Sequence, residues 1–153
     1  MKWLKNIFFL SISIIIITSC QKTDDNNYFF SKQVAGNIDT ISNKLELELK
    51  NEGFGIVSHI NMQEKLQEKL DVNIGEYHIF GVCNPLIAYN VLQKEKNIGL
   101  LLPCNIIIRE IESGLYLVAA INPEVTLQAF KNKELKGTGK EVKEKLIKVI
   151  ESI

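Results

Sequence analysis

The stretch that decides the fold runs from Gly81 to Asn105 and reads GVCNPLIAYNVLQKEKNIGLLLPCN. A Cys-Asn pair next to a proline stands near each end, and the residues between the two pairs have the composition of a helix. Asn84 is a good N-cap, and Pro85 suits the first helical position, where its missing N–H is harmless. The stretch therefore predicts a strand that ends at Cys83, then a helix, then a second strand that begins near Leu100.

The rest of the chain continues this alternation. Aromatic and β-branched runs predict strands, and apolar residues three or four positions apart predict helices. The predicted strands are Tyr28–Val34, Phe54–Ile60, Tyr77–Cys83, Leu100–Glu112 and Leu115–Ile121. The predicted helices run from Ile38 to about Glu52, over Met62–Leu70, from Pro85, from Pro123 to near Phe130, and along Val142–Ile153. A loop at Lys136–Lys140 precedes the last helix. We predict one α+β domain, a two-layer sandwich with a mixed sheet of about five strands and helices mainly on one face.

The first twenty residues have the pattern of an export signal. Lys2 and Lys5 precede the apolar run Ile7–Ile17, whose helical length of about 16 Å is half of a ~30 Å hydrocarbon core. The segment Ile17–Cys20 resembles the lipobox of bacterial lipoproteins, in which the cysteine becomes the lipid-modified first residue, and an ordinary secretory signal is the alternative. We expect a signal peptide at 1–19, a polar tether at 20–27 and one domain at 28–153, anchored through Cys20 in the cell envelope, facing the periplasm or the surface.

Length and charge limit the classes of function. Removal of residues 1–19 leaves 134 residues, enough for one domain with its own core. The 18 basic and 18 acidic residues of the full chain cancel, and loss of Lys2 and Lys5 makes the formal net charge −2. No basic stripe stands out in the sequence, so no nucleic acid partner is expected.

Five short segments resemble the family called domain of unknown function 302. They are Phe54–Val57, Lys69–Val72, Gly81–Ala88, Ile98–Asn105 and Ala119–Pro123, and the similarity runs from about Gly53 to Phe130. The resemblance implies a compact two-layer α+β fold whose topology is similar to half of the TATA-binding protein, in proteins that look like homodimers. It implies no settled reaction, and only the two Cys-Asn motifs transfer as candidate sites.

Cys83, Asn84, Cys104 and Asn105 are the candidate ligand-binding residues, and no catalytic residue is assigned. Cys83 directly precedes a helix start, where free N–H groups and the helix dipole favour a thiolate. Packing as a small buried hydrophobe is the alternative, and it suits Cys104 better. Asn84 is explained as an N-cap, whereas Asn105 in a strand is expected to be buried and to need a partner. The sequence permits a disulfide between the two thiols without requiring one.

Two histidines, His59 and His78, join the two thiols as candidate soft metal ligands. No ligand pair has the close spacing of structural zinc sites, and strand alternation directs His78 away from the face of Cys83. We therefore predict no metal and no cofactor. The sequence also lacks a Ser-His-Asp pattern and a glycine-rich phosphate loop.

These patterns support two hypotheses about function. The first is an exported, lipid-anchored protein that binds a small molecule, or takes part in thiol or sulfur chemistry, at the Cys83 and Cys104 region. The second is a non-catalytic structural or interaction module of the cell envelope, in which the two motifs shape a strand-helix-strand crossover and a dimer contact. The sequence leaves open whether the protein is an enzyme.

Overall fold

The structure, a computed structural model, describes residues 27–153. The predicted signal peptide, Cys20 and all but the last residue of the predicted tether lie outside the described residues. None of the helices within 27–153 is long and apolar enough to cross a membrane.

Five strands and five α-helices build the domain. The strands are β1 (Phe29–Ala35), β2 (Gly55–Asn61), β3 (Tyr77–Cys83), β4 (Cys104–Glu112) and β5 (Leu115–Ile121). The helices are α1 (Ile38–Asn51), α2 (Met62–Leu70), α3 (Pro85–Lys94), α4 (Pro123–Thr126) and α5 (Thr138–Ser152), with 3-10 turns at Lys96–Leu101, Leu127–Phe130 and Lys133–Leu135. The order and the type of these elements follow the sequence prediction.

The strands form one sheet in the order β1-β5-β4-β3-β2, and every neighbouring pair is antiparallel. The α+β class is confirmed, but the prediction of a mixed sheet is wrong. The crossover through α1 does join two strands that run in the same direction, β1 and β2. These two strands lie at opposite edges of the sheet, so no parallel pair is hydrogen-bonded.

The core lies between one face of the sheet and the helices α1 and α5. Both helices are amphipathic and direct their apolar residues at this face, as the 3.6-residue period requires. The largest fully buried side chains of this core are Leu45, Leu49, Val82, Ile106, Ile108, Val118, Leu146 and Val149. A second, smaller cluster joins Val91 of α3 to Ile98 and Leu135 of the 3-10 turns.

Two boundaries differ from the prediction. The leucine-rich run after Gly99 was expected to begin a strand at Leu100, but it belongs to the 3-10 turn Lys96–Leu101, and β4 begins only at Cys104. Ile98 explains this difference, because the turn carries its side chain into the second cluster, where it is fully buried. Helix α5 begins at Thr138, within the stretch expected to be a loop.

Candidate functional site

The two Cys-Asn motifs meet at one end of the sheet. Strand β3 ends where its antiparallel neighbour β4 begins, and Val82 pairs with Cys104 in this register. Cys83 is therefore only one residue beyond the partner of Cys104. The register therefore brings both thiols to the same end of the sheet.

An apolar cavity of about 40 Å³ lies beside these two cysteines. Its walls come from the ends of β3 and β4, from α3 and the 3-10 turn that follows it, and from α4, α5 and the residues next to them. The lining residues are Phe54, Val82, Cys83, Asn84, Ile87, Ala88, Val91, Ile98, Leu101, Leu102, Cys104, Pro123, Thr126, Leu127, Thr138 and Val142. Apart from the thiols, only one asparagine and two threonines in this set are polar.

Both thiols are free, and both are held in the neutral form. Burial raises the pKa of Cys83 above its ordinary value. Burial, with a smaller contribution from the nearby Cys83, raises the pKa of Cys104 to about 11. A buried thiolate loses its hydration, so the protonated form is favoured at neutral pH.

The helix start beside Cys83 does not stabilise a thiolate, contrary to our expectation. The Cys83 Sγ atom lies 3.9 Å from the Asn84 carbonyl oxygen, an acceptor, to which the thiol donates. The Asn84 Oδ1 atom accepts a hydrogen bond from the Ile87 N–H at 3.2 Å and so occupies one of the free donors of α3. The N-cap role of Asn84 is confirmed.

Asn105 is separated from the cavity. It pairs with Gly81 and alternates with Cys104 along β4, so its side chain leaves the sheet on the other face, where it is exposed. The expectation of a buried asparagine with a partner is wrong, because this end of β4 is solvated on that face. Of the four candidate residues, Cys83, Asn84 and Cys104 line the cavity and Asn105 does not.

Several cavity residues were not singled out by the sequence as site residues. Leu101 and Leu102 were assigned to a strand, and Thr138 to a loop, yet all three line the cavity. The four-residue helix α4 contributes Pro123 and Thr126. The sequence did contain one signal for them. Three consecutive leucines stand directly before Pro103, outside the strand that begins at Cys104, and two of them line the cavity.

Comparison with protein families identifies the domain. The family described as domain of unknown function DUF302 matches residues 30–153. The chain belongs to this DUF302 family. A similar solved structure is the crystal structure of an uncharacterised conserved DUF302 protein from Bacillus stearothermophilus, which is 26% identical, covers 82% of this chain and 97% of that one, and has a TM-score of 0.76. A search of curated proteins finds no match to this chain.

Membership of the DUF302 family confirms the resemblance on which the site residues were chosen. The matched range contains every strand except the first residue of β1, all five helices and the whole cavity. Neither the DUF302 family as described nor the similar Bacillus stearothermophilus protein is assigned a reaction or a ligand. The chemistry of the site therefore rests on the geometry of its residues.

Proposed function

We propose that this DUF302 protein binds the narrow aliphatic end of a small molecule in the cavity beside Cys83 and Cys104. The observation that carries this proposal is the apolar lining, which leaves few groups able to bind a charged ligand. The volume of about 40 Å³ is well below the ~150 Å³ cavity that admits benzene. An alkyl terminus fits such a space better than an aromatic ring does.

Binding is favoured over thiol catalysis. A nucleophilic cysteine needs a lowered pKa or an adjacent base, and both thiols have raised pKa values instead. Neutral thiols are weakly polar, and they pack against alkyl groups much as a small hydrophobe does. The two cysteines thus contribute apolar lining, and no redox or transfer step is assigned to them.

Filling the cavity tests the proposal. We expect the purified mature protein to bind cis-parinaric acid, a fluorescent fatty acid, and Ala88→Phe to weaken this binding by about tenfold or more, since the new ring takes the available volume. The matched control is Asn90→Phe, which places the same ring on the exposed side of α3. Equal binding by the two variants, or no binding by the unmodified protein, would refute an aliphatic site.

A structural module remains the second candidate, and one observation favours it. Each motif has a local role in the fold: Asn84 caps α3, and Pro103 packs against Gly81. This hypothesis predicts that Cys83→Ala and Cys104→Ala lower the melting temperature without any effect on ligand binding. Loss of cis-parinaric acid binding in either variant, with the melting temperature unchanged, would decide against it.

We also propose that the protein is a lipoprotein anchored through Cys20. The support is the sequence pattern of residues 1–20, a charged start, a short apolar run and a cysteine after small residues. Anchoring would hold the domain near a membrane, which is a source of aliphatic ligands. Fractionation of cells tests this point: Cys20→Ser should move the protein from the membrane fraction to the soluble one, and retention in membranes would contradict it.

A homodimer is proposed on the sheet face that points away from the core. Ile79 pairs with Ile107 on this face, Leu117 lies on the next strand, and all three are half-buried. A stable dimer buries about 800 Å² of surface on each partner, and an apolar sheet face can provide an area of this size. Light scattering should give twice the monomer mass, and Ile107→Lys should give the monomer mass. Monomers at micromolar concentration before any substitution would contradict the dimer.

A further inference from the structure

The sequence contains two histidines, and the fold brings them into direct contact. The His59 Nε2 atom and the His78 Nδ1 atom are 2.8 Å apart, although the residues are 19 positions apart in the sequence. His59 is exposed and His78 is half-buried. Two imidazole nitrogens are thus within one hydrogen-bond length at an accessible edge of the sheet.

The register of β2 and β3 holds this pair in place. His59 pairs with Phe80, and His78 precedes Phe80 by two residues, so all three rings stand on one face. The His59 ring lies parallel to the Phe80 ring with centroids 4.4 Å apart. The two imidazole rings are inclined by 19° with centroids 5.1 Å apart, so they meet nearly edge to edge, nitrogen to nitrogen.

The surrounding charge favours a cation. Glu76 and Asp39 are close enough to His78 to raise its pKa, against the larger lowering by burial and by His59. A neutral imidazole is the form that ligates a metal, and nearby carboxylates stabilise the added positive charge. Burial and the second imidazole keep His78 neutral, while the two acidic groups attract the ion.

We propose that His59 and His78 form a two-imidazole site for a divalent transition-metal ion of the Cu²⁺, Ni²⁺ and Zn²⁺ group. Imidazole nitrogens bind these ions at about 2.0–2.1 Å, so two of them on one ion lie about 2.9–3.4 Å apart. In the structure the two nitrogens, 2.8 Å apart, share a hydrogen bond, one as donor and one as acceptor. Metal binding therefore requires that this proton move to the other nitrogen of its ring, and that the exposed His59 ring turn until both lone pairs face the ion. The remaining positions are left to water or to a small ligand, because no group of three or more His, Cys, Asp or Glu side chains within residues 27–153 is placed to hold a metal.

This site is separate from the apolar cavity. His78 is near the start of β3 and Cys83 is its last residue, about 16 Å away at ~3.3 Å per residue. The thiols therefore cannot share an ion with the histidines. The separation also makes the two proposals independent, since the cavity can be filled without any change at the histidine pair.

Copper titration tests the inference. The purified mature protein, carrying Cys20→Ser, Cys83→Ser and Cys104→Ser so that no thiol competes, is titrated with CuCl₂ and followed by electron paramagnetic resonance. We expect one equivalent of Cu²⁺ whose signal shows coupling to two nitrogen nuclei. His59→Asn and His78→Asn should each weaken binding by about tenfold or more, since a single imidazole remains. Nickel and zinc should bind in the same place more weakly than copper.

A matched control separates ligation from a structural role. Val57→Asn places the same side chain on β2, at a position that is 63% exposed, and should leave copper binding unchanged. Circular dichroism confirms that each variant is folded. The inference is overturned if copper binds equally well to the histidine variants, if the signal shows one nitrogen or none, or if Val57→Asn weakens binding as much as His59→Asn does.

Discussion

Pro103 packs directly against the backbone of Gly81, so that a Cβ atom at position 81 would stand 2.6 Å from the Pro103 Cγ atom. The Ser58 Oγ atom would be 2.3 Å from the same Cβ. The serine side chain can rotate away, but the proline ring has no such freedom. This contact joins the end of β3 to the residue before β4, next to the cavity, and it explains why glycine stands at position 81.

Gly81→Ala should therefore destabilise the fold. We expect a loss of about 1–3 kcal/mol in the free energy of unfolding, the usual cost of an added methyl group in a packed site. Gly99→Ala is the matched control, because a Cβ at position 99 would meet no atom within 4 Å. Urea denaturation of both variants provides the measurement, and equal stabilities would contradict the close contact.

Gly139 is a second position where a methyl group does not fit. A Cβ there would lie 2.8 Å from the Glu124 Cα atom and from the Pro123 carbonyl oxygen, both backbone atoms that cannot turn away. Alanine favours a helix over glycine by about 1 kcal/mol, and the clash should exceed this gain. We expect Gly139→Ala to lower the melting temperature, whereas Lys140→Ala, exposed on the same turn of α5, should not. A Gly139→Ala variant that is more stable than the unmodified protein would show that α4 moves to make room for the methyl group.

The sequence predicted the types of the elements well, because capping and periodicity are local. Asn84 and Pro85 are enough to start α3 wherever the helix lies in the fold. The antiparallel sheet was missed because the positions of β1 and β2 at opposite edges depend on packing between distant segments. The histidine contact was missed for the same reason, since a separation of 19 residues says nothing about a pair until the register of β2 and β3 is known.

Tyr116 connects the core to Glu76. Its side chain is 5% exposed, and its hydroxyl donates a hydrogen bond to the Glu76 carboxylate. This bond, together with burial, raises the pKa of Tyr116 to about 12. Tyr116→Phe should cost about 1.5–3 kcal/mol, as for other hydrogen bonds to charged groups. Tyr89→Phe, at a position 63% exposed, should cost nothing measurable in the same denaturation experiment.

The same bond predicts an alkaline limit of stability. The folded state keeps the Tyr116 proton up to a pKa of about 12, whereas the unfolded chain releases it near 10. The contribution of the protonated Tyr116 hydroxyl to the free energy of unfolding is therefore complete below pH 10 and is lost as pH rises toward 12. Denaturation at pH 9 and pH 11 should show this loss in the unmodified protein and little of it in Tyr116→Phe. If stability falls equally between pH 9 and pH 11 in both proteins, a group other than Tyr116 causes the alkaline loss.

The histidine pair predicts a loss of stability in mild acid. Burial and the neighbouring His59 lower the pKa of His78 below 6.5, and the opposing effects of Glu76 and Asp39 are smaller. The unfolded chain thus binds the proton at a higher pH than the folded protein does. The contribution of neutral His78 to the free energy of unfolding is complete above pH 6.5, and it falls as the pH decreases below that value. Melting temperatures between pH 8 and pH 5 should decline in the metal-free protein and decline less in His78→Asn, and parallel curves would count against this assignment.

Slow thiol labelling is expected at neutral pH, and it separates binding from thiol chemistry. A pKa of about 11 in place of 9.0 lowers the thiolate fraction of Cys104 about 100-fold at any pH below 9. Cys104 should react with a disulfide reagent at least that much more slowly than an exposed thiol, and the rate should rise tenfold for each pH unit. Mass spectrometry of the labelled peptides distinguishes Cys104 from Cys83, which is less buried and should react sooner. Rapid modification of Cys104 at pH 7 would contradict the raised pKa of this thiol and would favour thiol chemistry over ligand binding at the site.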